Sequence, residues 1–196
     1  MSERRPVPRR QQILEALARE IEQRPASRIT TARLAGVVGV SEAALYRHFP
    51  GKAAMFEALI EFAEEAVFGL VNQIVADESG SARRRCERIV GLVLGVAEPN
   101  AGIMRVLLGE ALVGEDRALS ERVGRFFERL ETQLRVLIRD AGDAGLTQRS
   151  QAGLSANLMV AFVLGRMHLF SASGLRRRPT EDLDRQWAMI AGAVFG

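Results

Sequence analysis

The sequence contains one cysteine, one tyrosine, one tryptophan and two histidines in 196 residues. Cys86 alone excludes an intrachain disulfide, and without a second thiol there is no paired-cysteine zinc motif. His48 and His168 lie far apart, so no set of ligands converges on a metal. There is no Gly-x-Ser-x-Gly elbow. Gly51-Lys52 is not part of a phosphate-binding loop, because Tyr46 stands where glycine is required. No catalytic residue, metal or cofactor is expected. Glu57, Glu61, Glu64 and Glu65 read as an acidic helix surface rather than a metal site. Long apolar runs are also missing. The longest uncharged stretch, residues 150–165, includes Gln151, Ser155 and Asn157, and falls short of the ~20 apolar residues of a membrane span. The Arg- and Pro-rich start, Met1 to Arg10, has no apolar core behind it. No signal peptide is expected, and the chain reads as cytoplasmic.

Net charge is small in total and uneven in place. The net charge is +3, yet residues 1–52 hold ten basic and five acidic groups, +5, which leaves −2 for the remainder. Such asymmetry points the first quarter toward an anionic partner, either nucleic acid or a membrane surface.

Apolar residues recur at helical spacing along most of the chain, which predicts an all-α fold. A first helix is expected from Pro8 to Gln23 on the stripe Ile13, Leu14, Leu17, Ala18 and Ile21. Residues 24–27 break it. A short helix capped by Thr30 or Thr31 follows, with Leu34, Ala35 and Val38 inward, then a turn on Gly39 and a third helix capped by Ser41. Pro50 and Gly51 close that helix. A long fourth helix, 52–76, is expected to turn Phe56, Leu59, Ile60, Ala63, Val67, Leu70, Val71 and Ile74 inward. Further helices are expected at 82–97, 100–113, 117–141, 150–173 and 180–194, with breaks at Pro99, Gly114, residues 142–145 and Pro179. The segment 150–173 is apolar almost all round and needs covering on most sides, either in a purely internal core or by a second copy; the few elements left to cover it favour a homodimer in which the two long helices of each copy form a four-helix seam. The expected seam carries Phe126, Phe127, Leu130, Leu134, Leu158 and Phe162.

Residues 30–52 are the informative unit. Two short helices joined by a glycine turn match a helix-turn-helix, whose second helix enters the major groove. Ser41, Ala43 and Ala44 are small enough for close approach to base edges, while Tyr46, Arg47, His48 and Lys52 supply phosphate donors at the groove rim. This favours nucleic acid over membrane. Arg4, Arg5, Arg9 and Arg10 form a basic arm ahead of it, for which backbone or groove contacts are expected. His168 reads as a core or seam residue. Cys86, set among arginines, is either activated or incidental, and the absence of a partner thiol favours the second. Arg83 to Arg85 and Arg176 to Arg178 are either solvated faces or further anion contacts.

The run Leu45-Tyr46-Arg47-His48-Phe49-Pro50-Gly51-Lys52, leading straight into a long helix, resembles the TetR family of DNA-binding regulators. The resemblance implies a three-helix head, residues 1–52, on a helical dimerisation and partner-binding body, residues 53–196. A closer resemblance, to the nucleoid-occlusion branch of that family, is carried by Ile29 to Ala35, Val38 to Pro50, Leu59 to Phe62, Phe127 to Arg135 and Arg178 to Thr180. It implies a nucleoid-associated dimer on palindromic double-stranded DNA that engages the tubulin-like division protein FtsZ and antagonises its ring. Thr30, Thr31, Ser41, Glu42, Ala43, Ala44, Tyr46, His48 and Lys52 match the DNA-facing stretch. Phe62, Leu92, Gly95 and Asn100 match a groove for the FtsZ tail between the fourth and fifth helices. Leu70 and Pro99 stand where that groove is expected to carry arginines, with Arg83, Arg84, Arg85 or Arg88 as replacements. The alternative is a ligand-responsive repressor whose body encloses a small molecule; an enzyme is the weakest reading.

Overall fold

The computed structural model describes residues 8–24, 29–140 and 146–196, with the side chains of 146–150 left aside. The breaks expected at 25–27 and 142–145, and Arg4 and Arg5, lie outside the described residues. Among those described there is no strand. The helices are α1 (Arg9–Gln23), α2 (Thr31–Val38), α3 (Glu42–His48), α4 (Lys52–Ala76), α5 (Ala82–Ala97), α6 (Ala101–Leu107), α7 (Arg117–Arg139), α8 (Leu146–Ala172) and α9 (Leu183–Phe195).

Short polar side chains start these helices by accepting otherwise unpaired backbone N–H groups. Thr30 accepts from Arg33, Ser41 from Ala44, Ser81 from Arg84 and Asp116 from Ala118. Gly39 ends α2 with φ +72°, and the N–H groups of Gly39 and Val40 return to the carbonyls of Gly36 and Ala35. This six-residue loop-back satisfies the last carbonyls of α2 and aims the chain into α3.

One hydrophobic core runs from Ile13, Leu34 and Leu45 through Phe56 and Val71 to Trp187 and Ala191. Each such large side chain contributes roughly 1.5–3 kcal/mol when fully buried. The head is fastened to this core by α1. Arg33 Nε lies 2.5 Å from Glu20 Oε2, joining α2 to α1, and α1 packs on α6 so tightly that a Cβ on Gly102 would sit 1.9 Å from the Ala18 carbonyl oxygen.

Three expectations are corrected. The sixth helix stops at Leu107 rather than 113, because Gly109 takes φ +76° and leads into a 3-10 turn at Glu110–Leu112. Leu70 does not face inward: it is 44% exposed on the outer edge of α4. Phe126, Phe127, Leu130 and Leu134 are not seam residues but lie buried within the protomer, where α7 meets α4, α5 and α8. The outer face of α7 is instead charged, with Arg125, Glu128, Arg129 and Arg135 exposed.

An exposed apolar stripe lies on α8. Leu154 (76% exposed), Leu158 (46%) and Leu169 (43%) line one stripe with the half-buried Phe162 and exposed Ala161 and Gly165. Met189 on α9 is exposed as well. Residues Gln151–Ala172 are long and apolar enough to cross a membrane by length and composition. Within that stretch, however, Arg166 donates to the carbonyls of Arg178, Pro179 and Glu181, and Ala156, Met159, Val163 and Met167 are buried in the core.

Candidate nucleic-acid interface and partner groove

The head presents one polar face. Ser41, Glu42, Ala43, Tyr46, Arg47 and His48 are exposed on α3, Ala44 is half-buried, and Leu45 on the opposite side is fully buried. A seven-residue helix with one side sunk in the core and small residues at its start is shaped for a groove.

The donors around it are ordered by each other. Thr31 Oγ1 donates to Glu42 Oε2 at 2.8 Å. A hydroxyl has one proton, so the Tyr46 hydroxyl, 3.3 Å away, is the donor to Thr31. Thr30, the helix cap, holds the N-terminus of α2 beside this cluster. Arg9 and Arg10 are exposed at the start of α1, and the Arg10 guanidinium stacks 4.9 Å from the centroid of Phe49, which ends α3.

Lys52 stands apart. Its Nζ lies 2.5 Å from Glu115 Oε1 and 5.5 Å from the Phe56 ring centroid, so its charge faces the body. The structure thus gathers Arg10, Thr30, Thr31, Ser41 to Ala44 and Tyr46 to His48 around α3 but holds Lys52 in an ion pair. Glu115, the residue that holds it, carries no sequence signal, being 63 positions away.

A groove opens on the other side of α4. Phe62, 52% exposed, and Asn100 stand on its lips, and Ala66, Leu70, Val96, Ile103 and Met104 line a pocket of about 220 Å³ between α4, α5 and α6. Leu92 and Gly95, expected in this groove, line neither this pocket nor the adjoining cleft: Leu92 is half-buried against the core and Gly95 is exposed, with open space around it. Val93 and Val96, on the same helix, line the pocket instead. Ala66, Ile103 and Met104 were not singled out by sequence, since their small or apolar side chains look like core.

The corner between α5 and α6, bent by 114°, places Asn100. Glu98 fixes that corner by accepting from Arg178 at 2.5 Å and from the Thr180 hydroxyl. These bonds hold the Glu98 carboxyl below its ordinary 4.5, the Thr180 bond contributing most. Arg178 is therefore a structural cation. Arg176 likewise donates to the carbonyl of Ser173.

The remaining candidates resolve similarly. Arg85 donates to the Val75 carbonyl and Arg88 to Asp77, and Arg83, Arg84 and Arg88 line a separate depression at the start of α5, outside the groove. Cys86 is buried, which pushes its thiol up to about 12 and removes the thiolate needed for reactivity. His168 is exposed on α8, 3.8 Å from Glu110. Among the described residues, no three metal-binding side chains cluster.

Comparison with known proteins matches both halves. Residues 13–59 match the family described as bacterial regulatory proteins, tetR family, and residues 81–194 match the tetracyclin repressor-like, C-terminal domain of the SlmA-like type. The chain is 51% identical over 181 residues to nucleoid occlusion factor SlmA of Alteromonas mediterranea, covering 92% of each. It is 48% identical over 189 residues to SlmA of Marinobacter nauticus, covering 96% of each. Among solved structures, the fatty acid degradation regulator FadR from Bacillus halodurans aligns with a TM-score of 0.75 at 15% identity, covering 97% of this chain and 98% of that one. That likeness concerns the fold. A head with a helix-turn-helix face, a body with an open groove and near-full-length identity to these relatives agree: the chain belongs to the SlmA family of nucleoid occlusion factors, built on the TetR fold.

Proposed function

We propose that the protein acts as a dimer bound to palindromic double-stranded DNA that engages FtsZ through its body and opposes ring assembly over the chromosome. It is a binding protein rather than an enzyme, located with the nucleoid in the cytoplasm. Residues 1–52 form the reading head. Ser41, Glu42, Ala43 and Ala44 face base edges, while Arg9, Arg10, Thr30, Thr31, Tyr46, Arg47, His48 and Lys52 contact phosphates and set register. Residues 53–196 form the body, and the α8 stripe of Leu154, Leu158, Phe162 and Leu169 joins two copies, which sets the half-site spacing.

The observation that carries the partner assignment is the groove beside Phe62. It is open to the surface, and its apolar pocket of about 220 Å³ lies below the roughly 300–1,000 Å³ usual for an enclosed small-molecule site. A peptide side chain fits it. The test is co-sedimentation of FtsZ with the protein on duplex DNA selected for binding. The unaltered protein carries FtsZ down, Phe62→Ala binds the duplex without FtsZ, and absence of FtsZ with the unaltered protein rejects the assignment.

A further inference from the structure

Two depressions meet at Phe62. The apolar pocket between α4, α5 and α6 is one. The other is a cleft of about 820 Å³ between α1, α4 and the start of α6, whose charged residues are Glu15, Glu22, Glu61 and Glu65 against Arg10 and Arg19. Phe62, Asn100 and Ile103 line both, so a chain crossing Phe62 passes from one to the other without leaving the surface.

The charge along this path is negative. Glu61 and Glu65 project from successive turns of α4 and are exposed, whereas the neighbouring Glu64 is held by Arg122 through two hydrogen bonds. Of the two arginines in the cleft, Arg10 is stacked on Phe49 toward the end of α3. At the other end of the path, Leu70 adds apolar surface to the pocket and Pro99 adds no charge to the cleft. The arginine cluster at the start of α5 lines a different depression. An acidic segment laid over Phe62 would therefore run beside carboxylates, and a basic one would be drawn in.

We infer that the groove takes an extended peptide whose apolar anchor enters the pocket beside Phe62 and Leu70, and whose following residues place a lysine or arginine against Glu61 and Glu65. This rests on the partner assignment above and names the chemistry of the segment that it binds. One helical turn advances about 5.4 Å and an extended chain about 3.3 Å per residue, so the basic residue falls about two to four positions from the anchor.

The test uses the full chain on a bound duplex and short fluorescein-labelled peptides with a phenylalanine anchor followed, about three positions on, by arginine, glutamine or glutamate. Fluorescence anisotropy reads the affinity, with thermal melting as a folding control. The arginine peptide binds about tenfold tighter than the glutamate peptide, and the double variant Glu61→Arg, Glu65→Arg reverses that order. Leu70→Arg weakens the arginine peptide and leaves the carboxylates in place. A glutamate peptide that binds equally well, an order that survives the charge reversal, or no binding by any peptide of the panel overturns the inference. FtsZ in the same assay separates the two readings. If the arginine peptide binds and FtsZ does not, the partner assignment fails and the groove chemistry stands. If FtsZ binds with an affinity indifferent to the reversal, the groove chemistry fails and the assignment stands.

Discussion

Lys52 and Glu115 are joined at 2.5 Å across 63 residues, linking the first residue of α4, immediately behind the reading head, to the turn that precedes α7. A cation that serves DNA must leave a carboxylate of its own chain to do so. Glu115→Gln should therefore tighten binding to every duplex by up to about 5-fold, the reach of a pair worth ~0–1 kcal/mol. Lys52→Ala should weaken all duplexes alike and lower the slope of log affinity against log salt by about one phosphate contact. Salt titrations by fluorescence anisotropy distinguish the two, and an unchanged slope for Lys52→Ala removes the phosphate role.

Tyr46 donates to Thr31 in the free head. Tyr46→Phe should leave the head folded, because the side chain is 46% exposed. Its affinity should drop by about 5-fold for specific and nonspecific duplexes alike, the cost of one lost hydrogen bond near 1 kcal/mol. A loss confined to one operator sequence would instead make Tyr46 a base-reading residue.

The α8 stripe and the α7 core predict opposite outcomes. Leu158→Glu changes an exposed residue and should yield folded monomers in sedimentation velocity, with weakened binding to palindromic DNA. Phe126→Ala, at a position only 1% exposed, should cost about 3–5 kcal/mol of stability. A dimeric Leu158→Glu protein would move the seam elsewhere.

Gly102 leaves no room for a methyl group against the Ala18 carbonyl oxygen, which belongs to backbone and cannot rotate away. Gly102→Ala should lower stability by about 1–3 kcal/mol through overpacking, visible as a lower Tm. An unchanged Tm would mean that α1 can shift on α6.

Acid should loosen the α1–α2 joint. The hydrogen bond from Arg33 holds the Glu20 carboxyl below its ordinary 4.5, although burial opposes it. A depressed folded pKa stabilises the fold fully above the unfolded value and is lost as pH falls through the folded one. Thermal stability should accordingly fall below about pH 4.5 in the unaltered protein. Glu20→Gln should be less stable near pH 7 and show a shallower acid decline; parallel pH profiles for the two proteins would contradict this.

Local structure was legible where one residue dictates it. Ser41, Gly39 and Pro50 bound α2 and α3 through capping and φ preference, and those helices form where expected. Periodicity identified the apolar face of α7 but not its partner: a buried face reads the same whether a neighbouring helix or a second copy covers it. Phe126 and Leu134 were for this reason placed at a seam when they lie in the core. Leu70 was hidden for the converse reason, since an apolar residue on a groove lip keeps the spacing of the core. Lys52 was identified by type, but its bond to Glu115 depends on how distant elements meet, and no local pattern encodes that.

The bonds at Glu98 reach further than the corner that they hold. Glu98 is tied to Arg178 and Thr180, and the carbonyls of that same loop are gathered by Arg166 from the middle of α8. The lip of the groove is thus moored to the helix that carries the exposed apolar stripe. With the α8 stripe as the proposed seam, a chain separated from its second copy would forfeit more than a second reading head: the helix moored to the groove's corner would stand with that stripe in water, and the shape of the groove would depend on a helix that had lost its cover.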